Sequence, residues 1–258
     1  IWPAEARHGS AAFVRDGTLL ACAEMLRGGV TCFNDMYFFP EAAATAASEL
    51  GMRAMLGITT LEFPTPYASD ADDYIDKGLA VREQWRNHPL IGFCLAPHAP
   101  FTVSDTSFAR ILTLSEQLNL PIHCHIHETR QEIEESRQRH GETPLARLGR
   151  LGLLGPGFIG VHAVHLDDDD LELLAATGCS IAHCPTSNLK LASGIAPVAR
   201  MRQLRINVGL GTDGAASNNR LDMFGEMRLA ALLAKGSTGD GAARAARAGG
   251  AVAAAGVD

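Results

Sequence analysis

Short apolar runs alternate along the chain with longer stretches in which apolar residues recur every three or four positions. The short runs are Val30–Tyr37, Met52–Ile58, Leu90–Ala96, Pro121–His127, Phe158–Ala163, Cys179–Cys184 and Ile206–Gly211, each rich in β-branched, aromatic or small apolar residues. They predict strands. Between them, helices are predicted over Asp16–Arg27, Pro40–Leu50, Asp70–Gln84, Ser104–Leu118, Asp168–Thr177 and Ala196–Leu204, with a last one over Leu221–Ala234. Several open on a Ser or Asp that can cap the first amide groups. Strict strand–helix alternation signals βα units around a parallel sheet.

Seven parallel strands leave an edge, whereas eight close into a barrel that has none. The expected fold is therefore an α/β (β/α)8 TIM barrel lacking its first strand, which would precede the helix at Asp16–Arg27. A doubly wound sheet is the other architecture of this pattern, but no G-x-G-x-x-G turn follows any of the strands. The 258 residues, 47% hydrophobic and 20% charged, suit one domain over 1–258. The chain starts at Ile1 rather than at a methionine and stops in a run of Ala and Gly. It reads as part of a longer polypeptide.

A formal charge of −7 argues against a nucleic-acid partner, which needs concentrated Lys and Arg. No apolar run is long enough for a membrane helix, and residues Ile1–Ser10 do not have the pattern of an export signal. The six cysteines form no C-x-x-C pair and mostly lie in apolar runs, so a reducing, cytoplasmic setting is expected.

Chemistry concentrates at strand ends. In Pro121-Ile-His-Cys-His-Ile-His-Glu-Thr129, alternation along a strand places His123, His125 and His127 on one face. Glu128 follows at the end, within reach of a ligand held by a neighbouring histidine. In Gly160-Val-His-Ala-Val-His-Leu166, His162 and His165 are three apart and cannot both face inward; His162 is taken as the inward one. The acidic run Asp167–Asp170 is read as the first turn of a helix, where carboxylates are favoured. Asp213 lies just past a Gly-rich strand, where a carboxylate can bind a metal and take a proton. His98 adds a further polar group at another strand end. Active sites of barrels are built at the C-terminal ends of their strands, from several strands at once.

The motifs P-H-A-P around His98, H-I-H-E-T from His125, V-H-A-V-H-L around His162, H-C-P-T-S-N-L-K-L-A-S-G from His183 and G-T-D-G-A-A-S-N-N around Asp213 resemble the amidohydrolase superfamily. More narrowly they resemble its 5'-methylthioadenosine/S-adenosylhomocysteine deaminases, from Ile1-Trp-Pro-Ala-Glu5 to about Lys235. That resemblance implies a metal-dependent aminohydrolase that converts an adenosine-type nucleoside to its inosine analogue and ammonia. It implies a divalent metal, zinc by expectation and one per subunit, held by His125 and Asp213. Glu128, His162 and Asp213 become the catalytic residues, with Glu5, His98, Glu128, Asp213 and Ser217 contacting substrate. Glu5 would bind the ribose hydroxyls. The expected partner is a small nucleoside, with no nucleic acid or membrane and with homo-oligomerisation left open.

Three features of the family are not in this sequence. The family's His-x-His pair on the first barrel strand, which supplies two further metal ligands, and the small β-sandwich domain flanking the barrel are both absent. A substrate-contacting arginine expected after the third strand is replaced by Thr59-Thr-Leu-Glu-Phe-Pro-Thr65. Relatives acting on guanine, 8-oxoguanine, cytosine or a triazine would carry much the same metal and proton-transfer groups, and an inactive barrel scaffold is the alternative outside enzymes.

Overall fold

The computed structural model describes residues 2–243 and 253–256. After α1 (Trp2–His8) and α2 (Ala11–Arg27), the chain runs β1 (Cys32–Met36), α3 (Pro40–Glu49), β2 (Arg53–Thr60), α4 (Ala71–Trp85), β3 (Ile91–Pro97), α5 (Asp105–Leu118) and β4 (Ile122–Ile126). It continues with α6 (Arg130–His140), α7 (Pro144–Arg150), β5 (Phe158–His162), α8 (Asp168–Thr177), β6 (Ser180–His183), α9 (Pro185–Lys190), α10 (Val198–Gln203) and β7 (Asn207–Leu210). The last elements are α11 (Ala215–Asn218), α12 (Met223–Thr238) and β8 (Ala253–Gly256). Strands β1 to β7 pair in parallel in chain order, so each of the seven expected runs holds its place in one sheet. β8, where no strand was expected, lies parallel on the outer side of β1 in the register Phe33↔Ala253. The fold is the α/β alternation of the barrel type, and among the described residues β7 and β8 are the two ends of the sheet order.

Strands covered on both faces must be apolar throughout, and all five residues of β4 are buried, the two histidines among them. The helices are fastened at their starts by side chains. Ser10, Asp70, Ser104, Thr129, Thr143, Asp167 and Asp222 each accept a backbone N–H from the first turn. The acidic run that opens α8 has this role: Asp167 and Asp170 form a reciprocal capping box. α3 buries five alanines, which lets α2 and β2 approach it closely. Gly78 of α4 faces Ile58 so tightly that a methyl group there would collide with it.

One expected helix has different limits. α2 begins at Ala11, five residues before the expected Asp16, because the Ser10 hydroxyl caps it and Gly17 is absorbed in its interior. α6 was not foreseen, and its sequence RQEIEESRQRH has almost no apolar stripe; the residues it buries are Glu132 and Ser136. The six cysteines are free thiols, five buried and Cys32 exposed. Among the described residues no helix is long and apolar enough to cross a membrane.

Candidate active site

The site lies at the C-terminal ends of β3 to β7. Ile126 ends β4, and the residue after it, His127, adopts a left-handed backbone with φ 49°. This corrects the expectation that three histidines share a face: strand alternation stops before the third. His123 and His125 remain neighbours, with ring centroids 6.2 Å apart. His127 turns away, accepting from the Leu145 N–H at 3.1 Å and donating from Nδ1 to the His165 carbonyl at 2.8 Å.

His125 is oriented from behind. Its Nδ1 lies 2.7 Å from the His98 carbonyl, so that nitrogen carries the proton and Nε2 carries the lone pair. Its ring stacks on His162, with centroids 5.4 Å apart and planes within 19°. His162, the last residue of β5, has φ 70° and a fully buried side chain whose Nδ1 donates to Asn188 Oδ1 at 2.8 Å. Glu128 Oε2 lies 3.8 Å from His162 Nε2, and Glu128 Oε1 accepts from the Ser193 hydroxyl at 3.2 Å. Asp213, at φ 61° and 2% exposed, accepts from the Ser187 hydroxyl at 2.6 Å and from the Gly214 N–H at 2.7 Å.

His98, just beyond β3, donates from Nδ1 to Thr102 Oγ1 at 3.0 Å, since that hydroxyl is itself committed to the Ala99 carbonyl. Its loop is pinned by the buried Arg147, which bonds Asp105, the Pro100 carbonyl and the Val103 carbonyl. Beneath this layer, burial pushes His123 down to about 3 and His183 down to about 4, with charge repulsion from neighbouring histidines adding to both. Both are neutral imidazoles at neutral pH.

A cavity of about 210 Å³ opens beside His98 and His125, and Glu128, His162 and Asp213 are not among its lining residues. Glu5, His98 and His125 meet there, and the rest of its wall is largely apolar, including Trp2, Tyr37, Phe38 and Phe63. Among the described residues no lysine or arginine lines it. Burial, reinforced by the Glu5 carboxylate beside it, raises the Tyr37 phenol well above its ordinary range. Ser217 is fully buried in the short α11 turn and is not among the lining residues.

The residues absent from the sequence reading are Ser187, Asn188 and Ser193. All three stand in the H-C-P-T-S-N-L-K-L-A-S-G segment, and each holds one of the candidate groups Asp213, His162 and Glu128. The motif was visible, but nothing local marks a Ser or Asn that bonds across 26 to 65 residues.

Donor chemistry at His125 and Asp213 suits a divalent ion. A metal-binding imidazole characteristically donates its other N–H to a carbonyl, as His125 does to His98. Among the described residues no group of three or more His, Cys, Asp or Glu side chains is placed to hold a metal.

Residues 6–255 match the model of the amidohydrolase family, and the chain belongs to that family. Its curated relatives include the 5-methylthioadenosine/S-adenosylhomocysteine deaminases of Teredinibacter turnerae, 51% identical over 94% of this chain and 55% of that protein, and of Saccharophagus degradans, 52% identical over 92% and 53%. Among solved structures, an adenosine deaminase from Xanthomonas campestris with bound zinc superposes with a TM-score of 0.91 at 48% identity, covering 94% of this chain and 55% of that one. The chain thus spans about half the length of these relatives. A triazine hydrolase from Arthrobacter aurescens shares the fold at a TM-score of 0.85 and 22% identity.

Proposed function

We propose that this protein carries out the metal-dependent hydrolytic deamination of an adenosine-type nucleoside, such as 5'-methylthioadenosine, S-adenosylhomocysteine or adenosine. The observation that carries the reading is the meeting of Glu5, His98 and His125 in one aromatic-walled cavity. A carboxylate on α1 can take the two ribose hydroxyls while the purine reaches the strand ends. The names of the relatives support the same reading.

His125 Nε2 and the Asp213 carboxylate would hold the divalent ion, zinc by preference and one per subunit. Such an ion supplies Lewis acidity that brings the pKa of water toward neutrality. Glu128 takes a proton from the attacking water and delivers it to the purine ring nitrogen. His162, whose proton is committed at Nδ1 to Asn188, presents its Nε2 lone pair and orients the nucleophile. Asp213 accepts the second proton and passes it to the departing ammonia. The apolar residues Trp2, Phe38 and Phe63 suit an uncharged 5' group. The six free thiols suit a cytoplasmic setting.

The test is ammonia release from methylthioadenosine, adenosine, S-adenosylhomocysteine, adenine and guanine, by the parent and by Glu5→Ala. Charge-assisted bonds to the ribose contribute about 1.5–3 kcal/mol each, so nucleosides should be strongly preferred and Glu5→Ala should lose much of that preference. A parent that favours free bases, or a variant that discriminates as well as the parent, overturns the nucleoside assignment.

A further inference from the structure

His127 and His165 are the second histidines of two strand-end motifs, and neither lines the cavity. They belong instead to a continuous chain of hydrogen bonds that ends on Glu128. The Leu145 N–H donates to His127 Nε2 at 3.1 Å, which places the imidazole proton on Nδ1. Nδ1 then donates to the His165 carbonyl at 2.8 Å, with an Asp170 carboxylate oxygen 3.4 Å from the same nitrogen. His165 Nε2 donates to the Ser193 carbonyl at 2.7 Å, and the Ser193 hydroxyl donates to Glu128 Oε1 at 3.2 Å.

The turn that presents Ser193 is tightly specified. Ala192 at φ 60° and Gly194 at φ 129° flank it in left-handed backbone, and its N–H donates to the Asn188 carbonyl at 2.8 Å. A Cβ at Gly194 would press on Val164 Cγ1 at 3.1 Å, so the turn also lies hard against the segment that carries His165. Ser193 is buried, whereas the Glu128 side chain keeps 22% of its exposure and has several rotatable bonds. Among the described residues, Ser193 and the neighbouring His162 are the groups that contact the far end of the Glu128 side chain.

We propose that Ser193 is a positioning residue that fixes the Glu128 carboxylate for proton transfer, held in place by the His127–His165 brace. The assignment rests on the deaminase reading above. Misplacing a reacting group by about 1 Å can cost on the order of 100-fold in rate, and binding of the nucleoside elsewhere in the cavity does not depend on this contact.

The test has two arms. In steady-state ammonia release, Ser193→Ala should lower kcat by about 10- to 100-fold with KM within about twofold, and Ser193→Thr, which keeps the hydroxyl, should recover most of the rate. In thermal unfolding, Ser193→Ala and Glu128→Ala should be non-additive, since the second substitution removes a contact the first has already lost. An unchanged kcat in Ser193→Ala, a Ser193→Thr variant as slow as Ser193→Ala, or additive Tm shifts would overturn the assignment. If the parent releases no ammonia from any nucleoside, the deaminase reading falls, and the unfolding cycle by itself then decides whether Ser193 holds Glu128.

Discussion

The two walls of the candidate site are built on opposite plans. On the wall formed by the ends of β4 to β7, His125, His162, Glu128 and Asp213 each have a partner within the protein that sets their orientation, and His125 is the one of the four that also lines the cavity. The other wall, from α1, β1 and the segment after β2, is mostly aromatic and apolar surface around a single carboxylate, Glu5. Its rings pack on one another, Trp2 and Phe63 at 4.8 Å between centroids and Tyr37 and Phe38 at 4.9 Å, with no hydrogen bond to fix the pairs' exact angle. Hydrogen-bonded groups keep one geometry, which chemistry requires, while an apolar surface accepts small changes of shape. Under the proposed function the contrast divides labour: one side would react and the other would select.

The largest expected effect breaks the first wall at its metal. His125→Ala should abolish both tightly bound metal and turnover, measured together by elemental analysis and ammonia release. Retention of both would remove His125 from the site. Next, Glu128→Gln keeps size and hydrogen bonding but cannot take a proton. Its rate should fall by about 100-fold or more while metal content is unchanged, and an unaltered rate would reassign the proton carrier.

The smallest effect concerns what the ordered wall costs in stability. Burial, reinforced by the nearby Glu128 charge, pushes Glu132 up to about 8, against a bond from the Glu128 N–H that favours its charged form. A free glutamate titrates near 4.3. Because the folded value is the higher one, the stability associated with neutral Glu132 is complete below about pH 4 and is lost as pH rises toward 8. Glu132→Gln should therefore gain on the parent across that window, by on the order of 2 kcal/mol at pH 7. Parallel melting curves for the two proteins from pH 5 to 8 would contradict the buried, protonated state.

These contrasts also explain what the sequence could show. The β strands were legible because burial on both faces demands continuous apolar runs, and β2 and β3 are buried along nearly all their length. His125, Glu128 and Asp213 were legible as strand-end polar groups, which have few structural reasons to be there. α6 was not, because it packs through Glu132 and Ser136 rather than through an apolar stripe. The direction of His127 was hidden by a single dihedral at the strand end. Ser187, Asn188 and Ser193 look in isolation like ordinary turn residues, and their roles exist only once β4, β5 and β7 stand beside α9.

His127, His162, Ala163 and Asp213 all adopt left-handed backbone, at φ 49°, 70°, 47° and 61°. For residues other than glycine that conformation costs roughly 1–2 kcal/mol each, so a short peptide carrying any of these motifs would rarely visit it. The shape of the site is a property of the assembled sheet, not of the H-I-H-E or V-H-A-V-H strings that announce it. Grafting those strings onto the strands of an unrelated scaffold would transplant the right side chains with the wrong aim, unless the receiving backbone already bends left-handed at the same steps.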